Sequence, residues 1–159
     1  MLAAEVGAAL QQRGWMLALA ESCTGGGAAQ AVTEVAGSSG WFDRGFVTYS
    51  NEAKMEMLGV SAGGLKQYGA VSEQVAREMA AGALRHSQAQ MAASITGIAG
   101  PGGGSVEKPV GMVCFAWATT DGVLVSRTCH FEGDREAVRR QSVAILLQGV
   151  VNCAGGRAL

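Results

Sequence analysis

The sequence predicts an α/β fold, a single-domain α/β/α sandwich whose sheet is mixed and largely parallel. Short apolar runs alternate with helical patterns along most of the chain, which is typical of strands joined by helices. Asp121 and Gly122 form a hairpin turn signal between the last two apolar runs, so one part of the sheet is antiparallel. The 159 residues are 48% hydrophobic and contain no repeat or linker, so we expect one domain over residues 1–159.

The first part of the chain alternates helix and strand, and glycines mark the helix ends. Residues 2–13 form an amphipathic pattern that ends at Gly14. The apolar run at 16–20 has the length of a buried strand. Residues 25–36 are typical of a helix that ends at Gly37.

The rest of the chain continues the alternation and adds the hairpin. A second strand is predicted at 45–49, and Ser50 is a good N-cap for a helix at 51–58 that ends at Gly59. The remaining predicted elements are a helix from the N-cap Ser72 to about His86, a strand at 91–96, a loop at 97–109, hairpin strands at 110–118 and 123–131, and a helix from the N-cap Asp134 to about Asn152.

Composition excludes several classes of partner and site. The formal net charge is −1 and no run of Lys or Arg is present, so we expect no nucleic-acid partner. No apolar run is as long as a membrane span and the N-terminus lacks a secretion signal, so we expect no membrane partner and a cytoplasmic protein. Cys23, Cys114, Cys129 and Cys153 form no C-x-x-C pair and have no histidine at ligand spacing, which indicates reduced thiols and no metal site.

The turn after the first strand carries the residues that point most directly to chemistry. Residues 20–27 read Ala-Glu-Ser-Cys-Thr-Gly-Gly-Gly, so Ser22, Cys23 and Thr24 lie between a strand and a helix, beside glycines that let a ligand approach the backbone. Free N–H groups and the positive end of a helix dipole would favour a phosphate or an oxyanion there. The alternative is structural: Ser22 and Thr24 cap the helix, and the glycines permit the turn.

The predicted topology brings distant parts of the chain together. Parallel strands share one carboxyl edge, and the hairpin returns the last strand to that edge, where α/β sheets bind ligands. The residues expected to converge there are Ser22, Tyr49, Lys54, Thr96, the loop at 97–109 and Arg135.

Lys54 is the candidate base for Ser22. A serine hydroxyl that attacks an amide or an ester needs a base, and neither His86 nor His130 stands in a recognisable Ser-His-Asp order. A lysine can take this role where burial or a neighbouring cation lowers its pKa. The alternative is a solvated lysine on a helix surface.

A glycine-rich loop and an arginine are the candidate anion-binding elements. Residues 100–104 lack the ending of a P-loop, and they are either a flexible connection or a loop that closes over a phosphate. Arg135 lies in the first turn of a helix, where the dipole disfavours a cation unless it receives an anion. Arg139 and Arg140 follow one turn later, and we expect at least one of them to be a surface charge.

Six motifs along the chain are together highly specific, namely residues 20–26, 45–54, 69–72, 97–103, 108–111 and 131–135. They resemble one family, the C-terminal domain of the competence/damage-inducible protein CinA, and the resemblance extends from about residue 2 to residue 150. This family includes stand-alone nicotinamide-nucleotide amidohydrolases, so the resemblance implies conversion of nicotinamide mononucleotide and water to nicotinate mononucleotide and ammonia, without a metal. It also implies a Ser22–Lys54 pair supported by Tyr49 and Arg135.

The expected partner is therefore a small-molecule mononucleotide, with no cofactor, and a homo-oligomer is left open. The expected catalytic residues are Ser22, Lys54 and Tyr49. The expected substrate-binding residues are Cys23, Thr24, Gly25, Gly26, Thr96, Gly97, Gly100, Gly102, Gly103, Arg135 and Arg139. Two other classes stay open: a nucleotide-binding or regulatory module that releases no ammonia, and a scaffold that binds no small molecule.

Overall fold

A computed structural model describes residues 1–159 and contains the α/β/α sandwich that the sequence predicts. The strands are β1 (Leu17–Glu21), β2 (Phe42–Val47), β3 (Met91–Gly97), β4 (Met112–Thr119) and β5 (Leu124–His130). The helices are α1 (Leu2–Arg13), α2 (Gly27–Thr33), α3 (Asn51–Leu58), α4 (Ala62–Tyr68), α5 (Glu73–Arg85) and α6 (Arg135–Ala154). None of these helices is both long and apolar enough to cross a membrane.

The five strands form one mixed sheet in the order β2-β1-β3-β4-β5. β1 pairs in parallel with β2 and β3, whereas β4 runs antiparallel to both β3 and β5. Glu21 at the end of β1 aligns with Val47 of β2 and Ile95 of β3. The carboxyl ends of β1, β2, β3 and β5 therefore lie at one edge of the sheet, as predicted.

Helices cover both faces of the sheet, because successive residues of the central strands are apolar on both sides. Leu17 and Leu19 belong to the larger core, which also contains Trp117 and is covered by α1, α2 and α6. Ala18 and Ala20 belong to a second core beneath α3 and α5. The site is thus supported by packed layers on either side of β1.

The predicted N-caps are confirmed. The side chains of Ser50, Ser72 and Asp134 each accept a hydrogen bond from the backbone N–H three residues later, at 3.0, 3.2 and 2.9 Å. These caps set where α3, α5 and α6 begin. Lys54 and Arg135 consequently lie in the first turns of helices that start at the carboxyl edge.

Two elements, α2 and β2, differ most from prediction, and the ends of the others lie within about two residues of the predicted ones. α2 begins at Gly27 instead of residue 25 and ends at Thr33, because Gly25 and Gly26 have φ angles of 58° and 102° that a helix does not accept. The second strand lies at Phe42–Val47 instead of 45–49, so the chain leaves the sheet before Tyr49. As an edge strand, β2 lacks the continuous apolar run that marks a buried strand.

One helix, α4, was not predicted. It contains Gly63 and Gly64, which are poor helix formers, and it is only seven residues long. Its N-cap is Ser61, whose hydroxyl accepts from the Gly64 N–H at 3.0 Å. A short capped helix of this kind has no periodicity strong enough to detect.

Candidate active site

Ser22 lies in a tight turn directly after β1. Its N–H donates to the Ile95 carbonyl at 3.0 Å, and its own carbonyl accepts from the Gly25 N–H at 3.1 Å. The positive φ of Gly25 favours glycine there, because other residues are strained in that conformation. The Cys23 and Thr24 N–H groups donate to no other group of the protein, so two backbone donors beside Ser22 are free for a ligand.

Glu21 occupies the N-terminus of α2, which corrects the expectation that this helix end would receive a substrate anion. Its carboxylate accepts from the Thr24 hydroxyl at 2.6 Å and from the Ala28 and Ala29 N–H groups at 2.9 Å each. Glu21 is only 1% exposed. The α2 dipole is therefore complemented by the protein's own carboxylate, which leaves it less available to a ligand anion.

Lys54 is buried against Ser22. Its Nζ lies 3.0 Å from Ser22 Oγ, 2.9 Å from the Thr48 carbonyl oxygen and 3.3 Å from the Tyr49 carbonyl oxygen. The residue is 1% exposed, and none of the ion pairs of the chain involves it. Burial without a carboxylate partner disfavours the charged amine, so the pKa of Lys54 is lowered from its ordinary value.

Cys23, the neighbour of Ser22, is a second candidate nucleophile, and its protonation state decides whether it can act as one. Burial raises the pKa of the Cys23 thiol to about 11. The thiol is therefore protonated at neutral pH, and a protonated thiol is a weak nucleophile. The Cys23 thiol thus lacks the activation that a catalytic thiolate needs, whereas the Ser22 hydroxyl contacts the Lys54 amine.

A small cavity of about 220 Å³ opens above the Ser22–Lys54 contact. Thr96 forms part of its wall, and the Thr96 hydroxyl donates to the Ala70 carbonyl at 2.9 Å, which joins the end of β3 to the α4–α5 connection. Asn51 from α3 also lines it. The cavity is small and lined by residues from five parts of the chain, so it suits a small chemical group.

A larger cavity of about 650 Å³ adjoins the small one at Ala99 and Arg135, which line both. Arg135 donates to the Gly100 carbonyl at 2.8 Å and to the Tyr49 hydroxyl at 3.1 Å. Arg139, on the same helix, donates to the Thr24 carbonyl at 3.2 Å. Two guanidinium groups therefore lie within one cavity, next to the chamber that holds Ser22, and each has further N–H donors for an anion.

The structure brings most of the predicted site residues together. Those that line the small cavity are Ser22, Cys23, Tyr49, Lys54, Thr96, Gly97 and Arg135. Arg139 lines the larger cavity and contacts Thr24 and Gly25, and the Gly100 carbonyl contacts Arg135, whereas Gly26 lies near Val47 and adjoins neither cavity. Gly102 and Gly103 are exposed and line neither cavity, because the loop turns away from the site after Pro101.

Sequence analysis assigned no role to three groups of the site, namely the Glu21 carboxylate, the Thr48 carbonyl and Asn51. Glu21-Ser22-Cys23-Thr24 reverses the order of the capping box, in which Ser or Thr precedes Glu or Gln by three residues, so no capping pattern indicates the role of Glu21. A backbone carbonyl has no sequence signal, because every residue carries one. No three His, Cys, Asp or Glu side chains lie in a group that could hold a metal ion.

The fold and the two adjoining cavities define an α/β protein with a small-molecule site at the carboxyl edge of its sheet. The family model of the CinA C-terminal domain matches residues 1–154, and the chain belongs to this family. The resemblance of the sequence motifs is thereby confirmed.

Individual relatives agree with this membership. The chain is 59% identical over 147 residues to nicotinamide-nucleotide amidohydrolase PncC of Enterobacter agglomerans. This alignment covers 92% of this chain and 90% of that protein. It is 58% identical over 147 residues to the protein of the same name from Escherichia coli strain K12, with 92% and 89% covered. The crystal structure of competence/damage inducible protein CihA from Agrobacterium tumefaciens matches with a TM-score of 0.94 at 45% identity, covering 97% of this chain and 93% of that chain.

Proposed function

We propose that this chain hydrolyses the carboxamide of nicotinamide mononucleotide to nicotinate mononucleotide and ammonia, with Ser22 as nucleophile and Lys54 as base. The observation that carries the proposal is the contact of Ser22 Oγ with a buried lysine amine at 3.0 Å. The names of the close relatives supply the substrate.

The surroundings of Lys54 Nζ support a neutral amine that accepts a proton. A neutral amine has two N–H donors and one lone pair. The Thr48 and Tyr49 carbonyls are acceptors for the two N–H groups, which leaves the lone pair for the Ser22 hydroxyl. Burial, which lowers the pKa of Lys54, raises the neutral fraction at working pH.

The reaction then proceeds through an acyl-enzyme. Ser22 Oγ attacks the carboxamide carbon while Lys54 takes the hydroxyl proton, and the free Cys23 and Thr24 N–H groups stabilise the oxyanion. Lys54 returns the proton to the departing nitrogen, the C–N bond breaks, and ammonia leaves. Water attacks the ester with Lys54 again as base, and breakage of the ester bond restores the Ser22 hydroxyl and releases the carboxylic acid, which ionises.

The two cavities match the two ends of the substrate. The small cavity takes the pyridine ring and its carboxamide, and the larger one takes the ribose and 5′-phosphate, with Arg135 and Arg139 as the phosphate ligands. Tyr49 serves both parts, since its carbonyl accepts from Lys54 and its hydroxyl accepts from Arg135. Thr96 and Gly97 form the wall that faces the ring.

The proposal also gives roles to the glycines of the turn and to Gly100, and it includes the cytoplasm as the cellular compartment. Gly25 and Gly26 keep the backbone beside the oxyanion free of side chains, and the carbonyl of Gly100 holds Arg135 until phosphate replaces it. Gly102 and Gly103 have no role in this proposal. All four cysteines are free, which supports a reducing compartment, the cytoplasm.

Ammonia release tests the proposal. Purified protein is incubated with nicotinamide mononucleotide, ammonia is measured by a coupled assay, and nicotinate mononucleotide is identified by mass spectrometry. We expect turnover that Ser22→Ala abolishes, whereas the control Ser39→Ala, which changes an exposed serine that lines neither cavity, keeps it. Saturable binding of the mononucleotide without ammonia release would instead assign the chain to the non-catalytic nucleotide-binding class.

A further inference from the structure

The mechanism above leaves one buried charge without a role. The Glu21 carboxylate is among the least exposed groups of the chain and has no cationic partner. Removing a carboxylate from water is costly unless hydrogen bonds replace the lost solvation, and here three neutral donors do so. An apolar residue here would avoid that desolvation cost but would leave the three donors without their acceptor.

The side chain of Glu21 closes the turn that contains Ser22. One carboxylate oxygen accepts from the Thr24 hydroxyl and from the Ala28 N–H, and the other accepts from the Ala29 N–H. These bonds tie residues on both sides of the glycines to the end of β1. The segment between them, with Ser22 in it, therefore has little freedom to move.

The backbone of Glu21 connects the same residue to the base. Its carbonyl accepts from the Thr48 N–H at 2.8 Å, and the Thr48 carbonyl accepts from Lys54 Nζ at 2.9 Å. Glu21 thus contacts the Ser22 turn through its side chain and the Lys54 support through its main chain.

We propose that Glu21 is the positioning residue of the Ser22–Lys54 pair: its carboxylate holds the turn so that Ser22 Oγ stays on Lys54 Nζ and the Cys23 and Thr24 N–H groups stay free for the oxyanion. This rests on the proposed function. It differs from simple helix capping, because a cap alone would affect stability and leave the reactivity of folded protein unchanged.

Glu21→Gln tests the proposal with the smallest change of shape. The amide keeps one acceptor oxygen but presents an NH2 group in place of the other carboxylate oxygen, so one set of hydrogen bonds to the carboxylate is lost. We expect kcat to fall about 10- to 100-fold while KM changes by no more than about twofold, since small displacements of reacting groups cost this much and the substrate contacts are intact. All rates are measured well below the thermal midpoint and per folded molecule.

Glu73→Gln is the matched control. Glu73 also accepts two hydroxyl hydrogen bonds, from Ser126 and Thr128 at 2.7 Å each, but it joins α5 to β5 away from Ser22. We expect this variant to keep the wild-type kcat even if its thermal midpoint falls. A wild-type kcat in folded Glu21→Gln, or an equal loss in Glu73→Gln, would overturn the proposal.

Thr24→Val provides a second variant if Glu21→Gln does not fold. It removes the hydroxyl donor to Glu21 at nearly constant volume and keeps the Thr24 backbone. We expect a smaller loss of kcat in the same direction. Where both single variants fold, the double variant should lose less than the product of the two single factors, because the residues act as a unit. A wild-type kcat in Thr24→Val contradicts the proposal.

Labelling with a fluorophosphonate keeps this test separate from the proposed function. The reagent modifies an activated serine and requires neither the nucleotide nor ammonia release. Wild-type protein that labels at Ser22 but releases no ammonia would refute the substrate and leave the positioning proposal to be decided by labelling rate. Equal labelling rates in wild type and Glu21→Gln, with Ser22→Ala unlabelled, would refute the positioning proposal alone.

Discussion

Replacing Lys54 by arginine separates its action as a base from its action as a charge. Arginine keeps the positive charge and can donate to the Thr48 and Tyr49 carbonyls that Lys54 contacts. A guanidinium does not lose its proton in a protein, so it cannot take one from Ser22. Lys54→Met removes both the charge and the base.

The size of the loss follows from the contacts of Ser22 Oγ. Lys54 is the one basic group within hydrogen-bond distance of it, so either variant forfeits the whole general-base contribution. That contribution is about 10²- to 10⁴-fold in rate. We therefore expect kcat to fall by about 10²-fold or more in Lys54→Arg and by a similar factor in Lys54→Met.

The pH dependence follows from the direction of the pKa shift. Because burial lowers the pKa of Lys54, kcat/KM of the wild type should rise with pH and level off below the ordinary lysine pKa of about 10.4. The unfolded chain, with the higher pKa, binds more protons between the two values. The contribution of Lys54 to the free energy of unfolding therefore rises with pH in that interval.

The assay measures steady-state ammonia release at constant ionic strength between about pH 6 and pH 10, in steps of about one pH unit. Circular dichroism at each pH verifies that the protein stays folded. The reasoning is refuted if Lys54→Arg keeps more than about a tenth of the wild-type kcat, or if the wild-type profile is flat. Either result would leave Lys54 an electrostatic role only.

Three further predictions concern the neighbouring thiol, the anion and the core. Cys23→Ala should lower kcat by no more than a few fold, because the thiol is protonated and the backbone N–H is kept. Low activity in this variant, together with inactivation of the wild type by iodoacetamide, would assign the nucleophile to Cys23 instead. Arg135→Ala should raise KM for the mononucleotide by roughly 10- to 100-fold with kcat kept, as expected for one charge-assisted contact; a fall in kcat alone would place Arg135 in transition-state stabilisation. Gly149→Ala should cost about 1–3 kcal/mol of stability, since its β-carbon would overlap the buried Trp117 indole, and urea unfolding at wild-type stability would contradict this.

The sequence predicts the starts of the capped helices more directly than it predicts an edge strand or a short helix. Helix ends follow from local chemistry, so the caps at Ser50, Ser72 and Asp134 could be predicted from single residues. The edge strand β2 and the short helix α4 could not be placed correctly, because tertiary contacts and not local pattern hold them.

Part of the candidate site can likewise be predicted from the sequence, and part of it cannot. The proximity of Ser22 and Lys54 follows from adjacent parallel strands followed by a capped helix, which sequence reasoning reaches. The hydrogen bonds of the Glu21 carboxylate depend on distances across a folded turn, and the loop beyond Gly100 has many conformations open to it because glycines restrict little. These features needed coordinates.

Helix α6 joins the hydrophobic interior to the substrate-binding end of the molecule. Its first turns carry Arg135 and Arg139, whereas Leu146 and Val150 further along are fully buried. At a rise of 1.5 Å per residue, Arg135 and Val150 are about 22 Å apart along the axis. A change of packing that slides this helix would move both guanidinium groups together, while Ser22 and Lys54 stay at the end of β1 and on α3. The distance from the Ser22–Lys54 contact to the two guanidinium groups is therefore set inside the core, and it can change with no substitution at the surface of either cavity.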